Sequence, residues 1–265
     1  MIKPKKSLGQ NFLIDSNIVN KIIGVTDIQN SHILEIGPGN AELTKAILEK
    51  KPKSLTLIEK DRLLYRALIE KFKNSKQVKI YNEDVLKSNL ESRIKQGSIV
   101  FGNLPYNISS QILIKFIKFI YWPPKYKKLI FMFQKEVGEK IIARMGNSNY
   151  SRLSIITKSR LKILNFFYVS KNCFFPKPKV DSIVIEFQPI KRKDINFKSI
   201  KSLEYITNIF FSNRRKMINK VFSKIFKNPL EVSKKLQLDL RSRPSELSSE
   251  TYYKITELYE KYQKN

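Results

Sequence analysis

Apolar positions between His32 and about Phe187 follow two rhythms. Short runs rich in β-branched and aromatic residues, HILEI, SLTLI, VKIY, SIVFG and KLIFMF, are separated by longer stretches whose apolar residues recur at helical spacing. The first rhythm suits strands buried on both faces and the second suits amphipathic helices laid across them. The segment therefore reads as a parallel sheet with crossover helices near 42–50, 62–72, 86–95 and 109–120. Two further strands, LKILNFFYV and DSIVIEF, lie too close together for a crossover helix and predict an antiparallel ending to a mostly parallel, seven-stranded sheet. MGNSNYS around Gly146 reads as a flexible loop. Beyond QPIKRKD the strand pattern stops, and IKSLEYITNIFF, RRKMINKVFSKIF and SSETYYKITELYEKY read as short amphipathic helices. The expected organisation is α/β: an N-terminal segment 1–31 covering a ligand site, a sheet domain 32–190, and a small all-α domain 196–265.

Charge adds a partner to this picture. The 265 residues carry 51 Lys and Arg against 23 Asp and Glu, a formal net charge of +28. An AT-rich coding sequence also enriches lysine, isoleucine and asparagine, yet self-repulsion on this scale points to a polyanion as working partner, and nucleic acid is the candidate. The single cysteine, Cys173, excludes an internal disulfide and a thiol-based zinc site within the chain. No apolar run follows the basic N-terminus MIKPKKSLGQNF, and none approaches membrane-spanning length, so the expectation is a cytoplasmic protein with no membrane role.

Candidate chemistry begins at ILEIGPGNAELT, where a strand, a glycine turn at Gly37-Pro38-Gly39 and a helix start follow one another. Such a turn lets backbone amides approach a ligand. A dinucleotide site wants a third glycine where Glu42 stands, and an acid there disfavours a pyrophosphate. Glu59 follows the turn by about twenty residues, the position of an acid that accepts from ribose hydroxyls. Asp84 in NEDVL is placed to accept from an adenine amino group, with Val85 as an apolar wall. Together they describe a nucleoside pocket. SLGQNFL, at Ser7 to Leu13, reads as a lid that brings Asn11 and the backbone near Leu13 to the remaining part of the ligand.

The fourth strand runs into GNLPYNISS. A planar exocyclic amine is a poor nucleophile because its lone pair is delocalised; two fixed acceptors orient its hydrogens and aim the lone pair at a sulfonium methyl. The Asn103 side-chain oxygen and the Leu104 carbonyl suit that task, Pro105 supplies a rigid turn without a competing donor, and Tyr106 offers a stacking face. This chemistry needs no metal, no general-base histidine and no covalent nucleophile, and His32, at a strand start, reads as structural. Pro176 and Pro178 stiffen NCFFPKPKVDS so that Phe174 or Phe175 forms a second face of an aromatic clamp; Phe175 is the assignment, with the choice between the two left open. Lys115, Lys118, Lys125, Lys127 and Lys128, interleaved with aromatics, and Arg214, Arg215 and Lys216, at a helix start in the small domain, are candidate RNA contacts.

In order and spacing, SLGQNFL, LEIGPG, IEKD, NEDVL, GNLPYNISS, FPKPKVDS and FFSNRRK resemble the ribosomal RNA adenine N6-dimethyltransferase family over nearly the whole chain, and most closely its bacterial small-subunit (16S) branch. The resemblance implies a Rossmann-like class I methyltransferase domain with a helical C-terminal domain, and S-adenosylmethionine as methyl donor. It implies cofactor contacts at Asn11, Leu13, Gly37, Glu59, Asp84 and Asn103, and dimethylation of two adjacent adenines near the 3′ end of small-subunit rRNA. The expected partner is rRNA within an immature 30S particle, met by a monomer late in assembly. Three alternatives remain. One is the large-subunit, antibiotic-resistance type, in which isoleucine typically stands where Leu104 does. The others are a primarily RNA-binding assembly factor and a DNA adenine methyltransferase, which would usually carry a larger sequence-reading domain.

Overall fold

The computed structural model describes Pro4, Lys5 and residues 9–263; Ser7 and Leu8 of the N-terminal motif lie outside the described residues. The chain forms two compact units, Met1–Gly138 with Lys162–Pro189, and Glu139–Leu161 with Ile190–Asn265. Along the first run lie β1 (Phe12–Leu13), α1 (Ser16–Ile23), β2 (His32–Ile36), α2 (Glu42–Glu49), β3 (Ser54–Glu59), α3 (Arg62–Phe72), β4 (Val78–Asn82), α4 (Leu90–Arg93), β5 (Ser98–Asn103), α5 (Ser109–Ile117) and β6 (Tyr126–Gln134). Next come α6 (Lys135–Ile142), α7 (Arg152–Arg160), β7 (Leu161–Val169), β8 (Phe174–Phe175) and β9 (Ser182–Pro189), and then α8 (Ile200–Phe211), α9 (Asn219–Ile225), α10 (Pro229–Lys235) and α11 (Ser249–Tyr262).

Seven strands form one sheet in the order β4-β3-β2-β5-β6-β9-β7, while β1 and β8 pair separately. β2, β3, β4, β5 and β6 run parallel and β9 is antiparallel to β6. The chain moves outward from β2 through β3 to β4 and then returns to β5 on the other side of β2. That reversal opens a crevice outside the carboxyl ends of β2 and β5, where open α/β sheets bind ligands. β5 is buried along almost its whole length, as a strand covered by helices on both faces must be. On one face Phe116, Phe131, Phe133 and Phe187 pack edge to face; each ring buried this way contributes about 1.5–3 kcal/mol. Asp15 and Asp61 cap α1 and α3 through backbone amides at 2.9 Å.

The structure departs from the sequence reading at three places. The helix expected at 86–95 shrinks to α4, because Asp84 accepts from the Leu86 amide and its carbonyl takes the amides of Lys87 and Ser88, turning the chain first. MGNSNYS is a loop as read, built as a hydrogen-bonded double turn with Asn147 N donating to Arg144 O and Tyr150 N to Asn147 O. Arg214, Arg215 and Lys216 lie in a turn between α8 and α9 instead of opening a helix. The second unit also takes in Glu139–Leu161, which the boundary at 190 left with the sheet. There the Tyr253 hydroxyl donates to Ile155 O at 3.1 Å and Tyr150 meets Ser249 at 3.2 Å. α7 buries Ser154, Ile155, Ile156, Thr157 and Ser159 in near succession, which erases the apolar stripe that would have marked it as an amphipathic helix.

Gly138 lies where α6 meets β9, and a Cβ there would overlap Ile183 Cγ2. Gly138→Ala is therefore expected to lower stability by about 1–3 kcal/mol despite alanine's better helix propensity, measured as the shift in urea midpoint at constant m-value.

Candidate active site

β2 ends at Ile36 and the chain turns through Gly37 and Gly39, both left-handed at φ 65° and 56°. A Cβ on Gly39 would lie 2.9 Å from Phe12 Cδ1, so the missing side chain is what lets β1 cross the turn as a strap. The strap is held by pairing with β8, Phe12 opposite Phe175 and Leu13 opposite Phe174. Upstream, Lys5 Nζ lies 2.8 Å from Asp61 Oδ2 and Gln10 Nε2 donates to the same oxygen at 3.3 Å.

Glu59 ends β3 with Oε1 accepting from Asp61 N at 2.8 Å and Oε2 from Gly39 N at 3.3 Å. Burial pushes its carboxyl up from the ordinary value. Behind the glycine turn Glu35 is fully buried, accepts the Thr44 hydroxyl at 2.7 Å, and is raised by desolvation to about 8. Asp84 is held low, first by Lys60, whose Nζ is 2.9 Å from Oδ2. A single cavity is lined by these groups, by Gly9–Leu13 of the strap, and by Asn103–Ile108. Among the described residues its acidic and basic lining is Glu35, Glu42, Glu59, Glu83 and Asp84 against Lys60. That donor set, with the apolar walls of Ile36, Leu64 and Val85, fits a nucleoside carrying positive charge, as S-adenosylmethionine does, and repels a pyrophosphate.

At the end of β5 the Asn103 Nδ2 donates to Asn11 O at 3.0 Å. A carbonyl only accepts, so the amide's orientation is decided chemically and Oδ1 remains as the acceptor Asn103 has to offer. The Leu104 side chain is only 1% exposed. It folds back into space that Gly102 leaves open, since a Cβ there would come within 2.5 Å of Leu104 Cδ2. Leu104 accordingly has only its backbone to give the cavity. The Tyr106 hydroxyl lies 2.6 Å from Ser182 Oγ on β9, and burial raises its phenol, keeping it neutral.

Asn11, Leu13, Gly37, Glu59, Asp84, Asn103, Leu104, Pro105 and Tyr106 thus come together around one cavity. Phe174 is 3% exposed within the core and Phe175 is 51% exposed, beside the strap but outside the cavity lining. The expected RNA lysines are largely engaged elsewhere. Lys115 Nζ donates to Leu86 O and Ser88 O at 2.8 and 2.6 Å, bracing the α4 loop. Lys128 bonds Thr26 and Glu186, and Lys127 bonds Ser31. Both lie at the start of β6, remote from Met132, the β6 residue beside Asn103. Lys118 is exposed at the end of α5. In the second unit Arg214 donates to Ser148 O, while Arg215 and Lys216 are exposed. The sequence reading singled out neither Glu35, Lys60 and Asp61 nor Ser182, although LEIGPG, IEKD and FPKPKVDS contain them.

The family profile for ribosomal RNA adenine dimethylase matches residues 1–261. The chain belongs to this family. Among its relatives in the family is the ribosomal RNA small subunit methyltransferase A of Pelagibacter ubique, 46% identical over 98% of both chains. The protein of the same name from Malacoplasma penetrans is 36% identical over 94% of this chain and 90% of its own. Of solved structures, a dimethyladenosine transferase from Plasmodium falciparum superposes with a TM-score of 0.77 at 25% identity, covering 96% of this chain and 98% of that one. The 23S rRNA methyltransferase ErmE shares the fold, with a TM-score of 0.68 at 21% identity over 94% and 100% of the two chains. As a family member the chain is an S-adenosylmethionine-dependent rRNA adenine dimethyltransferase with the class I methyltransferase fold, as its motifs imply.

Glu35 generates a pH dependence. Its folded pKa lies above its unfolded one, so between 4.5 and about 8 the folded state binds the extra proton and stability falls as pH rises. Glu35→Gln should remove this loss, gaining on the unaltered protein by up to about 1.4 kcal/mol per pH unit across that window; parallel unfolding curves for the two proteins from pH 5 to 8 would contradict the assignment.

Proposed function

We propose that this chain dimethylates N6 of two adjacent adenines near the 3′ end of small-subunit rRNA, acting as a cytoplasmic monomer on an immature 30S particle late in assembly. The observation that carries the chemistry is the Asn103 amide, turned by Asn11 O so that an acceptor remains for the substrate. The small-subunit assignment is supported by the names of relatives such as that from Pelagibacter ubique and by Leu104 in place of isoleucine.

S-adenosylmethionine, when bound, supplies an already electrophilic methyl on its sulfonium. In this reading Glu59 accepts the ribose hydroxyls, Asp84 the adenine amine of the cofactor, and Gly37, Asn11 and Leu13 frame its methionine end. Asn103 Oδ1 and the Leu104 carbonyl accept the two hydrogens of the target amine and aim its lone pair along the transfer line. Pro105 withholds a competing N–H, and the Tyr106 ring, tethered through its hydroxyl to Ser182, stacks on the target base. Phe175, exposed at the strap, covers the base from the other side, and Arg215 and Lys216 meet rRNA phosphates from the helical unit. The amine's proton leaves after transfer, when it is strongly acidic, so no residue need serve as base.

Labelled methyl should pass from S-adenosylmethionine to unmethylated small subunits and appear on digestion as N6,N6-dimethyladenosine; label in large-subunit rRNA, or on another base, would overturn the proposal. Asn103→Asp places a second oxygen against Asn11 O and is expected to lower kcat about 10²–10³-fold, measured by steady-state methylation of unmethylated subunits. Ser182→Ala frees the Tyr106 ring and is expected to raise KM for the subunit several-fold while leaving KM for the cofactor unchanged.

A further inference from the structure

Beyond the acceptor site, the edge strand β7 carries a feature that neither the fold nor the proposed chemistry uses. β7 is the terminal strand of the sheet. Its even-numbered face presents Lys162, Leu164, Phe166 and Tyr168, all exposed, the last three at 39%, 44% and 49%. Phe166 and Tyr168 stand edge to face with centroids 6.2 Å apart. On the opposite face Phe167 lies under Lys21 and packs against the core while the exposed Asn165 is polar, so the exposed large apolar side chains are confined to one side of the strand. Folding alone gives no reason to leave three large apolar side chains in a row facing water on an unpaired edge.

The row leads to the acceptor site. Lys135 Nζ lies 5.5 Å from the Tyr168 ring centroid. Lys135 follows directly on Gln134, which pairs with Ser182, the residue bonded to the Tyr106 hydroxyl. Asp181 closes the same corner, its carbonyl accepting from Lys135 N and its carboxylate from Lys171 N. Tyr106, Ser182, Gln134, Lys135 and Tyr168 are therefore linked one to the next within the first unit, with Ser182 itself buried. Charge says what the exposed row binds: from Leu161 to Val180 the chain has four lysines, Lys162, Lys171, Lys177 and Lys179, and no carboxylate. Cations spaced between exposed rings are what a single-stranded polynucleotide requires, phosphates on the amines and base faces on the rings.

We infer that the Phe166–Tyr168 face of β7, with Lys135, Lys162 and Lys171, is a stacking track for the unpaired RNA segment flanking the target adenine, which it delivers toward Tyr106. The inference rests on the proposed function for the identity of the RNA but not for the presence of the track.

The test is the double variant Phe166→Ala/Tyr168→Ala in the full chain, with Tyr168→Phe as the conservative control. Binding of a fluorescein-labelled 12-nucleotide unstructured RNA is read by anisotropy, and methylation of unmethylated small subunits by steady-state kinetics. The double variant should weaken oligonucleotide binding and raise KM for the subunit, each by about 10–100-fold. Its kcat, KM for the cofactor and melting temperature should stay unchanged, with Tyr168→Phe close to the unaltered protein. Lys162→Ala and Lys171→Ala should each reduce the slope of log Kd against log salt by about one. Unaltered Kd and KM in the double variant overturn the track. So does a variant that binds RNA normally but sediments as monomer where the unaltered protein is dimeric, which would make the face a protein interface. Ring-dependent oligonucleotide binding by a chain that methylates no small subunit would instead overturn the proposed substrate and leave the track standing.

Discussion

One hydrogen bond, from Asn103 Nδ2 to Asn11 O, decides what the acceptor end can do, and much of the site exists to make it. Its partners are 92 residues apart. The strap reaches the tip of β5 only because Gly39 has no side chain to hold Phe12 away, because β1 pairs with β8, and because Lys5 and Gln10 converge on Asp61. Asp61 also caps α3 and gives its amide to Glu59. The Glu59 carboxylate and the orientation of Asn103 are therefore set by one connected group of residues, and displacing the strap disturbs both ends of the cavity together.

Electrostatics divides the molecule by task. A chain with a net charge of +28 gathers five carboxyl groups against one lysine among the described residues that line its cavity. Such a lining attracts a cationic small molecule and discourages free nucleotides, which the basic exterior would otherwise concentrate. Two of the carboxyls, Glu35 and Glu59, are pushed up by burial, so part of the cavity's charge depends on pH.

What the sequence revealed follows from what each feature needs. β2 and α3 coincide with their expected bounds because burial on both faces of a strand, or along one stripe of a helix, leaves its mark on the residues themselves. α7 escaped because a helix covered all round has no period to show. Asn103 to Tyr106 could be singled out as cavity residues because they are adjacent in sequence at the end of a strand. Asn11 and Ser182, which orient them, are paired through space with no trace in local spacing. Lys115 and Lys128 were misjudged for a related reason: residue type does not say whether an amine faces phosphate or is already held by Leu86 O, Ser88 O or Glu186. Strand alternation allowed only one of Phe174 and Phe175 into the core, and the structure buries Phe174.

The central claim is that the strap, through Asn11, turns the Asn103 oxygen toward the point of methyl transfer. A crystal structure of the chain with bound S-adenosylhomocysteine tests it most directly. The claim predicts the thioether sulfur facing Asn103, the ribose hydroxyls on Glu59, and Nδ2 still bonded to Asn11 O. A cofactor whose sulfur points away from Asn103, or an amide rotated so that Nδ2 faces the sulfur, would contradict it.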